Sequence, residues 1–385
     1  MKIESQVNPK HVIGIDILRF MAAIIVMWYH YGFWLGLDPN KVTRNVSQGF
    51  SGFPEIYDYS HFGWIGVQVF FVISGFVIAF SAQRASYFEF FVSRVIRLAP
   101  CVWICASITL FFLFSVDGGF QLILRYLRAI FFIPFGPMID ASYWTLGMEM
   151  GFYSMIFMLL FFDKFSWIRN FSVLIGCISA AFWFATYLSA FWNIEQLSAI
   201  LKKIGGKRMF ALVLVHHGIF FSIGILLWNQ IKHGGYKNAK WFAILAAAGC
   251  LQIVATSRSL NVDSDKDYTA YLTCGIWLFS IVFIYLSARL NHHFHTLPQP
   301  VLRAARTAGL MTFPIYLLHQ MAGSIAMGWL ISFGMGRWTA LGITMVAVIV
   351  VSWLVAMKLE PPLHRVTKES LYRMRNAYRR LFNIA

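Results

Sequence analysis

Gly63-Trp64-Ile65-Gly66-Val67-Gln68-Val69-Phe70-Phe71-Val72-Ile73-Ser74-Gly75-Phe76-Val77-Ile78-Ala79-Phe80-Ser81-Ala82 runs for twenty residues without one ionisable side chain. As a helix it spans about 30 Å, the thickness of a bilayer's hydrocarbon core. Similar apolar runs recur along the chain. Together they predict ten spans, at about 14–34, 63–82, 94–116, 144–162, 169–192, 209–228, 240–257, 268–289, 310–333 and 338–357. Barrel strands would alternate over ~10 residues, so these runs are helical. The predicted fold class is an all-α polytopic membrane protein.

Composition agrees. Of 385 residues, 59% are hydrophobic, 18% aromatic and 12% charged, with mean hydropathy +0.64. Soluble domains are about 45–50% apolar and about 25% charged, so too little polar residue exists here to cover a water-facing surface. A disordered chain, a collagen, a coiled coil and a soluble two-domain enzyme are thereby excluded. Residues 1–360 are expected to form one transmembrane domain and 361–385 a basic cytoplasmic tail. The first run is too long for a signal peptide's apolar region and lacks a cleavage motif, so it is expected to stay in place. Segment 121–134 is short and carries Arg125 and Arg128, as an interfacial or re-entrant piece would.

A net charge of +16 would suggest nucleic acid in a soluble protein. In a membrane chain it is loop charge facing acidic lipid headgroups and phosphorylated ligands, and no nucleic-acid partner is expected. Lys358, Arg365, Lys368 and Arg373 weight the side that holds both termini, which predicts cytoplasmic termini. Cys101, Cys105, Cys177, Cys250 and Cys274 all lie in apolar runs without a CxxC pair, against a disulfide, redox or zinc role.

An ionisable residue at mid-span costs at least ~2.5–3.5 kcal/mol, so each is a functional candidate. They are Asp16, Arg19, His30, Glu149, His216, His217 and His319. Asp16 and Arg19, three apart, can pair with each other. Arg19 and His30 share a helix face about 16 Å apart along the axis. Glu149 lies at the expected depth of His30, and a carboxylate beside an imidazole makes a general-base pair. A plain hydrogen bond to a neighbouring helix is the alternative for His30. Arg94 and Arg97 share a face at the start of the third span, and their fork geometry suits phosphate oxygens. An ordinary positive-inside anchor is the alternative there.

In order, Asp16-Ile17-Leu18-Arg19 with His30, Gly66-Val67 through Phe70-Phe71 to Ser74-Gly75-Phe76, Arg94-x-x-Arg97-x-x-Pro100, Trp144-Thr145-Leu146-x-x-Glu149, Phe221-x-x-Gly224 and Ile315-Tyr316-Leu317-Leu318-His319 resemble the membrane acyltransferase-3 family. Two positions depart: Gln68 stands where the family often has Asp, and Ser93 replaces the first basic residue of its arginine motif. The resemblance implies transfer of an acyl group, usually acetyl, from cytoplasmic acyl-CoA to a hydroxyl of an extracytoplasmic glycan. The acceptor, lipid-linked or polymeric, would be an exopolysaccharide, O-antigen or similar molecule at the bacterial cytoplasmic (inner) membrane. His30 and Glu149 would be catalytic; Arg19, Arg94, Arg97 and Ser74 would bind the donor; no metal is implied. Direct transfer with His30 as base and an acyl-histidine intermediate both remain open. Oligomeric state is open too, a dimer included.

Two other classes use the same intramembrane groups. A secondary transporter would employ them as a proton relay, but the sequence displays no inverted repeat and no paired broken helices. A non-catalytic acyl channel is the other. The loop at 35–62 is expected to act as a lid, with 50–60 folding over the outer mouth. Its rings are Trp34, Phe50, Phe53, Tyr57, Tyr59 and Trp64, with Asp38, Glu55 and Asp58 to accept glycan hydroxyls, although an interfacial aromatic belt explains Trp34 and Trp64. His216 and His217 project about 100° apart, so at most one can face that entrance; packing is the expected fate of both.

Overall fold

The structure, a computed structural model, describes residues 12–37, 50, 52–116, 118–235, 237–260 and 268–381. Every regular element among the described residues is helical. Eight stretches are long and apolar enough to cross a membrane: Ile13–Trp34, Pro54–Ala82, Tyr87–Phe114, Ala141–Phe161, Phe165–Phe191, Ala239–Leu260, Ala270–Arg289 and Arg337–Tyr378. The chain is an all-α multi-pass membrane protein, and eight of the ten predicted spans coincide with these helices.

The helices that carry the argument are α1 (Ile13–Tyr29), α2 (Ile65–Ala82), α3 (Tyr87–Phe114), α4 (Phe120–Ile130), α5 (Trp144–Phe161), α6 (Ile168–Phe191), α7 (Glu195–Gly205), α8 (Arg208–Leu212) and α9 (Gly218–His233). They continue as α10 (Ala239–Leu260), α11 (Tyr268–Arg289), α12 (Gln299–Leu318), α13 (Met321–Ser332), α14 (Arg337–Leu354) and α15 (Glu360–Leu381). The described residues of Met1–Phe33, Phe53–Gln83 and Met148–Gly309 form one compact unit. Those of Trp34–Gly52, Arg84–Gly147 and Leu310–Ala385 form a second.

The two remaining predicted spans, 209–228 and 310–333, are not continuous helices. This corrects the expectation that the chain lacks broken helices. In the first, α8 ends after Leu212 and α9 begins at Gly218. Leu214 takes a left-handed conformation (φ 65°), Val215 N–H donates to Phe210 O at 3.0 Å and Leu214 N–H to Ala211 O at 3.0 Å. That is a Schellman ending with leucine in the position glycine usually holds. In the second, α12 stops at Leu318 and α13 restarts at Met321, around His319 and Gln320.

Asp140 stitches the second break. Its carboxylate accepts from Ser142 N–H at 2.7 Å and from Met321 N–H at 2.9 Å, capping two helix starts at once. The Tyr316 hydroxyl adds a bond to Ser142 O at 3.0 Å. Asp140 lies between the spans, and burial pushes its carboxyl up to about 6 despite these donors.

In the first unit, α2 packs most closely against α9. A Cβ on Gly75 would collide with the Phe221 carbonyl, and one on Gly224 with the Val72 carbonyl. Only glycine at both positions lets the backbones approach this closely. In the second unit, α4 lies against α3, with Trp103 Nε1–H donating to Ile130 O at 3.0 Å. Eleven residues reach only about 16 Å, so α4 cannot cross a bilayer. The helix of α14 continues through a π-helical turn, Val355–Leu359, into α15, so residues 360–381 are helical across the expected start of the tail. Tyr372 and Arg375 then pack on Phe88 of α3, at 5.6 and 4.3 Å between groups.

Candidate functional site

His30 opens a π-helical turn, His30–Trp34, at the end of α1. Such turns inside α-helices are frequent at functional sites. Its Nδ1 lies 2.9 Å from Val26 O. A carbonyl can only accept, so Nδ1 carries the proton and Nε2 presents a lone pair. Tyr29 stands edge-on at 5.0 Å from the imidazole. The tautomer is therefore set by the backbone one turn back.

Glu149 lies in the second turn of α5, half-buried. Its Oε1 accepts from Ser74 Oγ at 3.1 Å and its Oε2 from the Tyr153 hydroxyl at 3.0 Å. Ser74, expected on the donor side, is thus brought to the carboxylate, and the sequence reading did not single out Tyr153. Its signal was available, because Tyr153 is four residues after Glu149 and shares its helix face.

Arg19 is half-buried in α1. Three residues before it, Asp16 is 2% exposed and pairs with Arg306 of α12 at 3.5 Å. Gly309 admits this contact, since a Cβ there would lie 2.5 Å from the Asp16 carboxyl carbon. Arg306 lies outside every predicted span, where a charge carries no cost that would mark it.

In the second unit, the Arg94 guanidinium donates to Ser93 Oγ at 2.8 Å and lies over Phe90 at 5.3 Å. Arg97 lies over the Phe313 ring at 5.5 Å and interacts electrostatically with Glu360. Cation–π contact of this kind holds a guanidinium without neutralising it. Ser93, where a basic residue was expected, is a hydrogen-bond acceptor for its neighbour.

The other intramembrane histidines are packed. His216 stands edge-on to Phe182 at 4.9 Å, and its carbonyl accepts from Trp183 Nε1–H at 2.9 Å. His217 lies 5.1 Å from Phe71, with Gln252 Nε2 at 3.4 Å from its Nδ1. His319 is 1% exposed, with Nδ1 donating to Tyr316 O at 2.8 Å. Residues 54–64 form short helical turns that lead into α2. Phe53 is fully buried, which corrects the expectation that its ring is offered to a sugar; Trp64, explained above by an interfacial belt, is nearly buried too, its ring used in packing. Tyr57 stands edge-on to Phe33 at 5.8 Å, while Tyr59 is 70% exposed with its carbonyl held by Trp28 Nε1–H at 3.0 Å. Asp38 lies outside the described residues. Among the described residues no group of three or more His, Cys, Asp or Glu is placed to hold a metal ion.

Comparison with known proteins places this arrangement. No solved structure matches the chain. It is 25% identical to "Nodulation protein 10" of Rhizobium leguminosarum bv. viciae over 390 residues, covering 92% of this chain and 95% of that one. It is also 25% identical over 162 residues to "O-acetyltransferase OatA" of Staphylococcus aureus (strain NCTC 8325 / PS 47), covering 40% of this chain and 22% of the relative. The family model described as "Acyltransferase domain" matches residues 12–357, and so takes in α1 with His30, α5 with Glu149 and α3 with its arginines. The chain belongs to the acyltransferase-3 family.

Proposed function

We propose that this protein moves an acyl group, acetyl by preference, from cytoplasmic acyl-CoA to a hydroxyl of an extracytoplasmic glycan such as exopolysaccharide or O-antigen. It works in the bacterial cytoplasmic membrane with both termini in the cytoplasm. Family membership and likeness to a named O-acetyltransferase support the acyl transfer. The observation that carries the assignment is His30, whose Nε2 lone pair is presented from a family-matched helix.

In the proposed step the glycan oxygen attacks the thioester carbonyl carbon as its proton passes to His30 Nε2. The C–O bond forms, the C–S bond breaks, and the imidazolium returns the proton to the leaving thiolate. Glu149 favours the transient imidazolium by its negative charge. Arg94 and Arg97, with Arg19, hold donor phosphates; an Arg fork matches two phosphate oxygens. The exposed Tyr59 belongs to the acceptor side.

Broken helices are present, so their absence no longer argues against a transporter; the family match does. Purified protein given acetyl-CoA and a glycan acceptor tests the reading. Acceptor-dependent thiol release with an ester on the glycan is expected. Substrate flux without thioester cleavage would overturn it in favour of a transporter or an acyl channel.

A further inference from the structure

A carboxylate within an apolar helical bundle keeps its charge only if donors replace the lost water. Glu149 has two, and neither is a cation. Ser74 Oγ takes one oxygen at 3.1 Å and the Tyr153 hydroxyl the other at 3.0 Å. Among the described residues no ion pair forms on this carboxylate. The contrast with Asp16, which has Arg306 at 3.5 Å, is chemical. A guanidinium cancels the negative charge, whereas hydroxyls solvate it and leave it in place.

The two donors come from different elements. Tyr153 sits one turn along α5 from Glu149, so it fixes the carboxylate's direction on its own helix. Ser74 reaches across from α2, where it is 8% exposed. Next to it, Gly75 permits the close backbone approach of α9 that fixes α2 within the first unit. The carboxylate is therefore held from two sides at fixed height and rotation.

We propose that Tyr153 and Ser74 are positioning residues for Glu149, keeping its carboxylate oriented and un-neutralised so that it can stabilise a cation formed transiently during acyl transfer. The inference rests on the acyltransferase reading above. Among the described residues the hydrogen bonds on the carboxylate come from these two hydroxyls, one from α5 itself and one from α2. Removing either releases one oxygen of the carboxylate from its fixed direction. The loss then appears in kcat.

The test uses the purified full chain, acetyl-CoA and a soluble oligosaccharide acceptor, with kcat and both KM values measured at about pH 7. Tyr153→Phe is expected to lower kcat by about tenfold and to leave both KM values within about twofold. Ser74→Ala should act in the same direction, and Ser74→Thr, which restores a hydroxyl, should return kcat to within about twofold of wild type. Should Tyr153→Phe fail to fold, the Ser74→Ala and Ser74→Thr pair carries the test alone. Wild-type kcat in the variants that lack a hydroxyl, a Ser74→Thr as slow as Ser74→Ala, or losses expressed in KM overturn the proposal. His30→Ala run alongside separates the two levels. If it is inactive while the other variants keep wild-type kcat, only the positioning role falls; if it stays active, the underlying reading falls.

Discussion

The carboxylate of Glu149 and the guanidinium of Arg97 are both charges set into helices, yet their surroundings differ in kind. Glu149 is held by two neutral hydroxyls. Arg97 has an aromatic face at 5.5 Å and the carboxylate of Glu360 as an electrostatic neighbour. Solvating a charge keeps it available for a counter-charge that appears only during reaction. An opposite charge nearby lowers the cost of storage without neutralising the group, and it sets a competition with any incoming ligand of that neighbour's sign. The first arrangement suits a group that works on the transition state, the second a group that binds and releases an anion. Rate should therefore report on the Glu149 region and affinity on the Arg97 region.

The largest effect is expected at His30. His30→Ala should lose at least about 100-fold in transfer while binding acetyl-CoA as wild type does, because general-base terms are typically 10²–10⁴-fold. Equilibrium binding and turnover measured on one preparation check both halves. Glu149→Gln comes next, with a loss of about 10–100-fold in kcat, and the His30→Ala/Glu149→Gln double variant should lose little more than His30→Ala. Losses that multiply in the double variant would show two independent groups and dissolve the pair.

The arginine region should respond in affinity. Arg97→Ala is expected to raise the donor KM about tenfold with kcat within about threefold, and Arg94→Ala to do the same more weakly. Glu360→Gln should have the opposite sign, lowering donor KM about twofold, since it removes the competitor for Arg97. Comparing CoA with dephospho-CoA as competitors on each variant would locate a 3′-phosphate contact; the same preference in every variant would take these arginines out of the donor site.

Much of this was legible in the chain. Spans such as 63–82 follow from length and the lack of charge alone, because the bilayer sets a minimum helix and a price for each ion. That rule also singled out His30 and Glu149. The break before α9 was hidden, because Leu214 occupies the left-handed ending position (φ 65°) where glycine would have announced it. Gly334 (φ 89°), which ends α13, is the readable version of the same device. Hydropathy averages over such endings without registering them. Partners outside the spans escaped for another reason: Arg306 and Glu360 read as loop and tail charges until folding sets them against Asp16 and Arg97. Tyr153 escaped because a tyrosine in an apolar helix attracts no notice unless its i, i+4 neighbour is considered.

The smallest effect concerns stability. The Asp140 carboxyl is pushed up to about 6, above the usual aspartate value of 3.8, by burial. The folded state thus holds a proton that the unfolded chain releases. Its stabilising contribution is complete below about pH 4 and disappears as pH rises through about 6. Asp140→Asn should flatten that slope in the thermal midpoint. Asp140→Ala, which leaves the Ser142 and Met321 N–H groups uncapped, should cost about 2–4 kcal/mol at every pH. A slope unchanged in Asp140→Asn would assign the titration to another group.

Reconstitution into sealed vesicles tests the central claim most directly. Acetyl-labelled acetyl-CoA is supplied on one side of the membrane and a glycan acceptor on the other, for wild type and for His30→Ala. The account predicts labelled ester on the glycan across the membrane, one CoA thiol released per ester formed, and neither product with His30→Ala. Movement of intact acetyl-CoA or glycan without thiol release, or equal ester yield from His30→Ala, would contradict it.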